Sequence, residues 1–309
     1  MNIVILGAGA IGSLYGAKLS KLNDVLLIAR ESHTNAINKN GLTIKGIENY
    51  NYRLKASSKI GRIVDNTLIL LTTKVHGSRS AVNSIKNLVK KDTIIICIQN
   101  GLGSENIVKK IIKEKCLVLR GVTNFGAAFL DDGTIEYNNY GYTAIEKSPA
   151  AVEIAENFTK CGLNAYESKN IKEDVWKKLI LNCVLNPITA ILRIRNGGIA
   201  DENLNPLKKL IVDECLKVAE KDGVKFDFDF LKSLNEGIKN SKNISSMQQD
   251  LLKGRKTEID FLNLAVAELG KKYGIKCPVN DSLAVIIKEM ERLNEKTAPN
   301  FQLLNCKRR

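Results

Sequence analysis

The first thirty residues contain a glycine-rich turn in a setting that few folds provide. An apolar run over residues 3–6 leads directly into GAGAIG at residues 7–12, and a helical pattern follows to Leu22. A second apolar run over residues 25–29 ends at Arg30. This order of strand, G-x-G-x-x-G turn, helix and strand is typical of a βαβ unit that binds a dinucleotide. The alternative is an ordinary glycine-rich turn of an α/β protein, and the flanking strands argue against it.

Each glycine of this turn has a predicted role. Gly7 permits the tight turn, Gly9 lets a pyrophosphate approach the backbone, and Gly12 lets the helix pack close to the strand. The N-terminus of the helix offers N–H groups and a partial positive charge to the phosphates. We therefore expect the cofactor to contact the whole turn, which consists of Gly7, Ala8, Gly9, Ala10, Ile11 and Gly12.

Arg30 is the first charged residue after the second predicted strand, and it bears on the choice of cofactor. Proteins that bind NAD usually place an acidic residue there to accept from the ribose 2′-OH, whereas a guanidinium suits the 2′-phosphate of NADP. Arg30 therefore favours NADP (NADPH). Glu31 follows directly and leaves a ribose contact open, and an ordinary solvated arginine at a strand end is the alternative.

The chain carries a formal net charge of +14, which has three interpretations. They are a solvated lysine-rich surface, attraction of anionic ligands such as a dinucleotide and a carboxylate substrate, and binding of nucleic acid. The lysines are dispersed in short pairs, and aromatic residues make up only 6% of the chain, which argues against a base-stacking surface. We therefore expect a small-molecule partner and no nucleic acid.

Length and composition suit a globular chain of two domains. A chain of 309 residues is long for one core, and 44% hydrophobic with 26% charged residues is ordinary for a globular protein. No apolar run is expected to reach the roughly 20 residues of a membrane helix. The N-terminal apolar run is interpreted as a strand rather than a signal peptide. We expect a cytoplasmic protein with no membrane partner.

The seven cysteines indicate reduced thiols rather than a disulfide framework. They are scattered, none forms a C-x-x-C pair, and their number is odd. With only two histidines in the chain, the sequence offers no clustered set of zinc ligands, and we expect no metal site.

Apolar runs that alternate with helical segments predict a parallel sheet covered on both faces. The predicted fold is an α/β Rossmann-type N-terminal domain, residues 1–168, with an all-α C-terminal domain, residues 169–309. Within the first domain, residues 35–46 are expected to be rich in turns, with short strands at 42–45 and 52–56. The predicted helices of the second domain span residues 171–192, 205–221, 228–239, 246–253, 257–273 and 280–294. The helical domain would form the other wall of the cofactor cleft, and the tail from Thr297 is expected to fray.

Two polar residues, Lys74 and Asn100, each follow a predicted strand of the first domain. Because the carboxyl ends of parallel strands meet at one edge, both side chains are expected near the cofactor. The alternatives are a surface lysine and a turn-forming asparagine before Gly101.

The first helix of the second domain places polar residues on an otherwise apolar surface. Lys178, Asn182 and Asn186 recur at a spacing of four and therefore share one stripe. A buried lysine with two buried asparagines needs partners or lines a cavity. The alternative is a solvent-exposed stripe, which Lys177 marks equally well. Pro187 is expected to kink the helix or to end a segment.

Two further predicted helix starts carry polar candidate residues, and one of these, Ser246, suits a carboxylate ligand. Ser246 lies where a helix N-terminus is predicted, and simple capping of that helix is the alternative. Glu258 lies in the first turn of the next predicted helix, where an acidic residue also favours the helix dipole. Ser245 with Gln248, and Thr257 with Asp260, are spaced as capping boxes for these helices.

Together these residues resemble the ketopantoate reductase (2-dehydropantoate 2-reductase) family. The resemblance extends to about residue 292, and its motifs occur in the order and spacing of the family. The motifs are GAGAIG at 7–12, Lys74, QNG at 99–101, WKKLILNCVLNP at 176–187, Asn196-Gly197, NISSM at 243–247 and KTEID at 256–260. The tail beyond residue 295 has no clear family pattern.

The resemblance implies NADPH-dependent reduction of 2-dehydropantoate to (R)-pantoate, on the route to coenzyme A. It makes Lys178 the catalytic lysine, Glu258 its carboxylate partner, and Lys74 a lysine near cofactor and substrate. The substrate-binding residues that it implies are Asn100, Asn182, Asn186, Asn196 and Ser246, together with Lys178 and Glu258. A reductase of another 2-oxo acid or an imine, and a non-catalytic NADP-binding regulator, are the alternatives. A homodimer is left open.

Overall fold

The computed structural model describes residues 1–297, and the chain divides into two compact units at Asp174 and Val175. The predicted fraying of the tail falls outside the described residues, apart from Thr297 at the end of the last helix.

The N-terminal unit contains twelve strands and five α-helices among the described residues. Its strands are β1 (Asn2–Leu6), β2 (Asp24–Ile28), β3 (Leu42–Gly46), β4 (Tyr50–Tyr52), β5 (Lys55–Ser57), β6 (Thr67–Leu71), β7 (Ile94–Cys97), β8 (Leu117–Thr123), β9 (Gly126–Asp131), β10 (Thr134–Asn139), β11 (Thr143–Ile145) and β12 (Ala165–Glu167). Its helices are α1 (Ala10–Leu19), α2 (Glu31–Asn40), α3 (Ser78–Ile85), α4 (Ser104–Ile112) and α5 (Ala151–Lys160).

Eight of these strands form one sheet in the order β12-β11-β8-β7-β6-β1-β2-β5. Pairing is parallel throughout except between β8 and β11, which are antiparallel. The central strands are continuous apolar runs because both faces of the sheet are covered, and β6 is buried at all five positions. In register, Leu6 of β1 lies between Ile28 of β2 and Leu71 of β6, so the loops after these strands leave the same edge. The predicted Rossmann-type sheet is confirmed.

Two local predictions in this unit are wrong. Residues 35–40, expected to be turns, belong to α2, because Ile37 and His33 provide a buried helical face and Gly41 at φ +81° ends the helix. The strand expected at 52–56 divides into β4 and β5. These join different sheets, since β4 pairs with β3 and β5 pairs with β2. With β9 and β10, strands β3 and β4 form a separate four-stranded sheet.

The C-terminal unit is helical, as predicted. Its helices are α6 (Ile171–Leu192), which begins just before the division between the units, α7 (Asn205–Lys221), α8 (Phe230–Ile238), α9 (Ser246–Leu252), α10 (Asn263–Lys272) and α11 (Pro278–Thr297). Ser245 caps α9 by accepting from the N–H of Gln248 at 3.2 Å. The helix predicted from residue 257 instead opens with a 3₁₀ turn, Ile259–Phe261, and Thr257 accepts from Ile259 at 3.2 Å rather than from Asp260.

Helix α6 is long and apolar enough, by length and composition, to cross a membrane. The sequence expectation of no such run is therefore wrong. A share of 56% of its most apolar window is buried inside the protein. A core helix of a globular protein passes the same test, so this one helix is weak evidence for membrane insertion.

Candidate active site

The backbone of the turn between β1 and α1 explains why glycine is needed at residues 7 and 12. Gly7 adopts φ +107°, and a Cβ there would lie 2.4 Å from the side chain of Thr73. A Cβ on Gly12 would lie 2.5 Å from the Thr72 hydroxyl, so α1 packs directly against the end of β6. At Gly9, by contrast, no atom lies within 4 Å of such a Cβ. Gly9 is thus the exposed position of the turn, beside the first N–H groups of α1, which lack helical acceptors.

Lys74 and Asn100 follow neighbouring strands and are held at the same edge by one side chain. Gln99 donates from Nε2 to the carbonyl of Thr73 at 2.6 Å and to the hydroxyl of Ser78 at 2.7 Å. This joins the loop after β7 to the loop after β6. Lys74 and Asn100 are both half-buried. The structure therefore brings Lys74, Asn100 and the glycine turn to the carboxyl ends of adjacent strands, as the sequence predicts.

The turn that contains Asn100 is bonded to a buried arginine, Arg120, which the sequence pattern does not indicate. Arg120 on β8 donates to the carbonyls of Cys97 at 3.2 Å and Gly101 at 3.0 Å, and to the Ser104 hydroxyl at 2.6 Å. Its charge is opposed by Glu105, 3.7 Å away. These contacts fix both ends of the turn that presents Asn100.

Arg30 occupies the N-cap position of α2, where its side chain makes no capping bond, and like Glu31 it is exposed. His33, one turn further, is buried and was not predicted to have a role. Its Nδ1 accepts from the N–H of Gly133 at 2.9 Å, which places the proton on Nε2, 3.1 Å from the hydroxyl of Ser13. His33 therefore links α2 to α1, directly behind the glycine turn. Burial lowers the pKa of His33 and keeps the ring neutral.

In the C-terminal unit, two adjacent lysines of α6 differ in burial because they lie on different faces of the helix. Lys177 is exposed, with its ammonium 5.3 Å from the ring centroid of Phe228. Lys178 is half-buried and begins a stripe that becomes more buried along the helix, through Asn182 to Asn186 at 3% exposure. Within the described residues, the Nδ2 atom of Asn182 is buried and has no hydrogen-bond partner. A buried polar group of this kind is satisfied by a ligand or water.

Pro187 does not end α6, which continues to Leu192. The ring removes the N–H that would bond to the carbonyl of Cys183, four residues earlier. Asn263 replaces it by donating from Nδ2 to that carbonyl at 3.0 Å. The side chain of a later helix thereby completes the backbone of α6 beside Asn182 and fixes the start of α10 against it.

Asn196 and Ser246 lie on two segments that pair with each other. The N–H of Asn196 donates to Asn243 at 2.8 Å, and the N–H of Gly197 donates to Ser241 at 2.9 Å. Thr189 of α6 donates to the Ser245 hydroxyl at 2.7 Å. The Oδ1 atom of Asn196 is buried without a partner among the described residues, while Ser246 is exposed as the first residue of α9.

Glu258 is buried, at 9% exposure, immediately before the 3₁₀ turn that precedes α10. That turn is fixed by a bond from the N–H of Thr257 to Glu291 at 2.7 Å. Its burial argues against the alternative that Glu258 only favours the helix dipole from a solvated surface. Asn263, five residues after Glu258 and the first residue of α10, is bonded to Cys183 of α6, the helix that carries the stripe.

Comparison with known proteins accounts for nearly the whole chain. Residues 3–150 match the family described as "Ketopantoate reductase PanE/ApbA", and residues 170–291 match "Ketopantoate reductase PanE/ApbA C terminal". A 2-dehydropantoate 2-reductase of Pyrococcus horikoshii is 38% identical over 301 residues, covering 95% of this chain and 98% of the relative.

Two solved structures share the fold over 96% of this chain. A PanE/ApbA family ketopantoate reductase from Ralstonia eutropha is 27% identical, with a TM-score of 0.88 and its whole chain covered. A D-mandelate dehydrogenase, solved with NADH and anilino(oxo)acetate, is 28% identical, with a TM-score of 0.88 and 99% of its chain covered.

Proposed function

Because the chain belongs to the ketopantoate reductase family, we propose that it reduces 2-dehydropantoate to (R)-pantoate with NADPH. It is an NADP-dependent oxidoreductase that acts on a small-molecule keto acid. The observation that carries the proposal is the agreement between this family membership and the half-buried position of Lys178 on α6, beside an exposed Lys177. Of the two lysines, Lys178 is the one that could bind a substrate while partly shielded from water.

The residues of the glycine turn fit the cofactor. The open space at Gly9 and the N–H groups of α1 suit the pyrophosphate. Arg30 supplies positive charge for the 2′-phosphate, and Lys74 supplies positive charge at the carboxyl ends of the strands. When bound, NADPH supplies the hydride that reduces the C2 carbonyl. The predicted domains, residues 1–168 for the cofactor and residues 169–309 for the catalytic residues and most of the substrate-binding residues, are part of this proposal.

Lys178 acts as the general acid. As the carbonyl carbon of the substrate gains a hydride, negative charge develops on its oxygen. The ammonium stabilises that charge and donates the proton that completes the hydroxyl. Partial burial strengthens this interaction, because fewer waters screen it. Glu258 holds the ammonium or the substrate hydroxyl in place.

The amide and hydroxyl groups bind the rest of the substrate. Asn182, Asn186 and Asn100 provide donors to the carboxylate and carbonyl oxygens, and Ser246 adds a donor at the start of α9. Asn196 offers a buried acceptor that suits the substrate hydroxyl. The unpartnered amide atoms of Asn182 and Asn196 support this assignment, since a ligand would satisfy both.

A second candidate is a reductase for a different 2-oxo acid. It is favoured by the likeness to a D-mandelate dehydrogenase solved with NADH and an aryl-substituted oxo acid. A panel of 2-dehydropantoate, phenylglyoxylate and small aliphatic 2-oxo acids, each with NADPH and with NADH, separates the two. We expect the highest kcat/KM for 2-dehydropantoate with NADPH. A higher value for phenylglyoxylate would favour the second candidate, and binding of cofactor without turnover of any acid would indicate a regulator.

The role of the glycine turn has its own test. Gly9→Ala is expected to leave Tm unchanged but to raise the Kd for NADPH by about tenfold or more, because the methyl enters the space proposed for the pyrophosphate. Gly61→Ala is the matched control, because a Cβ there also meets nothing within 4 Å. An unchanged Kd in Gly9→Ala would remove this turn from the cofactor site.

Cytoplasmic location, a homodimer, and the lack of nucleic-acid or membrane partners stay predictions. Sedimentation of the purified protein decides the oligomeric state.

A further inference from the structure

Helix α7 contains a lysine whose charged end is entirely inside the protein. Lys208 is 0% exposed. Its ammonium donates to the carbonyl of Ile199 at 2.6 Å, to the carbonyl of Asp201 at 3.2 Å, and to Oδ1 of Asn235 at 2.7 Å. A lysine ammonium has three N–H groups, so its donors are fully used. All three acceptors are uncharged oxygens.

Burying an ammonium is costly unless its hydrogen bonds are restored. Burial accordingly lowers the pKa of Lys208, while the nearby carboxylates of Asp201 and Glu202 raise it. An apolar side chain at this place on α7 would fill the core without that cost. What the lysine adds is a fixed position for two backbone carbonyls, both in the short connection between α6 and α7.

Those carbonyls belong to the segment that presents Asn196. The 3₁₀ helix Asn196–Ala200 contains Ile199, and Asp201 follows it directly. On its other side the segment is bonded to Ser241 and Asn243. A Cβ on Gly197 would lie 2.8 Å from the carbonyls of Lys239 and Ser241, so the two backbones are in close contact. The segment is therefore held between the Lys208 ammonium and the stretch that leads to Ser246.

We propose that Lys208 is a positioning residue for substrate binding, and that it acts by fixing the segment that presents the Asn196 amide. The inference rests on the proposed function, in which Asn196 binds the substrate. Lys208 itself donates no proton in the reaction, because its donors are used and its ammonium is enclosed. Its contribution is to hold the unpartnered Oδ1 of Asn196 where a substrate hydroxyl can reach it.

The test compares KM and kcat in four proteins: wild type, Lys208→Met, Asn196→Ala and the double variant. Loss of one substrate hydrogen bond is expected to raise KM for 2-dehydropantoate about tenfold in each single variant, with a smaller change in kcat. The Kd for NADPH stays at the wild-type value. Because Lys208 acts through Asn196, adding Lys208→Met to Asn196→Ala raises KM no further.

Lys18→Met is the matched control for losing a buried lysine. Lys18 on α1 is also buried and pairs with Glu48. We expect this variant to lose stability without a change in KM. Lys208→Arg restores donors to the segment and is expected to recover part of the loss in KM. It also provides a folded variant if Lys208→Met does not fold.

The outcomes separate this inference from the proposed function. A raised KM in Asn196→Ala with a wild-type KM in Lys208→Met would overturn the role of Lys208 alone. If only Lys208→Arg folds, the double variant with Asn196→Ala is made from it. Additive effects in the double variant would also overturn it, since they show that Lys208 acts by another route. A wild-type KM in Asn196→Ala would remove Asn196 from the site and this inference with it. A wild type that reduces no 2-oxo acid contradicts the proposed function itself.

Discussion

The two units of the chain position their candidate site residues in different ways. In the N-terminal unit, Gly7, Lys74 and Asn100 stand near each other because three parallel strands end at one edge of a sheet. In the described part of the C-terminal unit, α6 supplies one stripe of candidate residues, and the remaining candidate segments have to be joined to their neighbours. Single side chains join them by bonding to individual carbonyls, such as Asn263 to Cys183 and Lys208 to Ile199. A sheet edge follows from strand order alone, whereas carbonyl contacts of this kind require a particular residue at a particular place.

The difference predicts that the stability of the N-terminal unit depends on a buried charge, and that the stability of the C-terminal unit depends on single hydrogen bonds. The largest effect is expected for Arg120→Met, which leaves Glu105 without its partner and removes donors from Cys97 and Gly101. Leaving these buried carbonyls without their charged donor should lower the free energy of unfolding by about 3–5 kcal/mol, at roughly 1–3 kcal/mol for each unsatisfied acceptor. Chemical denaturation followed by circular dichroism measures it.

Arg120→Lys sharpens the same result. The single ammonium of a lysine cannot reproduce the planar fork that bonds to three oxygens, so it is expected to recover only part of the loss. A loss below about 1 kcal/mol in Arg120→Met would contradict the view that this buried charge fixes the Asn100 turn.

A smaller effect is expected for Asn263→Ala, which leaves the carbonyl of Cys183 without a donor. The cost of a buried unsatisfied carbonyl is about 1–3 kcal/mol. Pro187→Ala supplies the missing N–H within α6, so Asn263→Ala should cost less in that background than in wild type. The only tryptophan, Trp176, lies on α6, and its fluorescence reports unfolding of this unit. Equal costs in both backgrounds would show that Asn263 does not replace the bond that Pro187 removes.

The smallest effect is a pH dependence from His33. Its pKa in the folded protein is lowered by burial, so the unfolded chain binds the proton more readily. Its contribution to stability is complete above the unfolded pKa of about 6.5 and is lost as the pH falls from there through the folded pKa. The slope is at most about 1.4 kcal/mol per pH unit. His33→Gln should flatten this part of the profile, while the exposed His76→Gln should leave it as in wild type. A wild-type profile in His33→Gln would exclude this residue as the source.

The sequence alone predicts the features that depend on neighbouring residues. Strand, glycine turn and helix identify the first βαβ unit, and a spacing of four places Lys178 and Asn182 on one stripe of α6. The bounds of α6 and α7 agree with the predicted ranges residue for residue. These features are local, so neighbouring residues in the sequence already determine them.

Features that depend on distant residues were not predictable. Helix α2 was missed because its polar composition hides a narrow buried face, formed by His33 and Ile37, that only the folded sheet explains. The roles of Arg120 and Lys208 depend on carbonyls that are distant in the sequence or lie in another element. A single buried cation produces no periodic pattern in the sequence. Arg120 and Lys208 therefore cannot be distinguished there from the many exposed basic residues.

The central claim is that the half-buried lysine of α6 supplies the proton. It is tested most directly by kcat for 2-dehydropantoate with NADPH in Lys178→Ala, alongside Lys177→Ala on the exposed side of the same helix. We expect kcat to fall about 10²–10⁴-fold in Lys178→Ala, with the Kd for NADPH unchanged, and to stay near the wild-type value in Lys177→Ala. A near-normal kcat in Lys178→Ala, or an equal loss in both variants, would contradict the account.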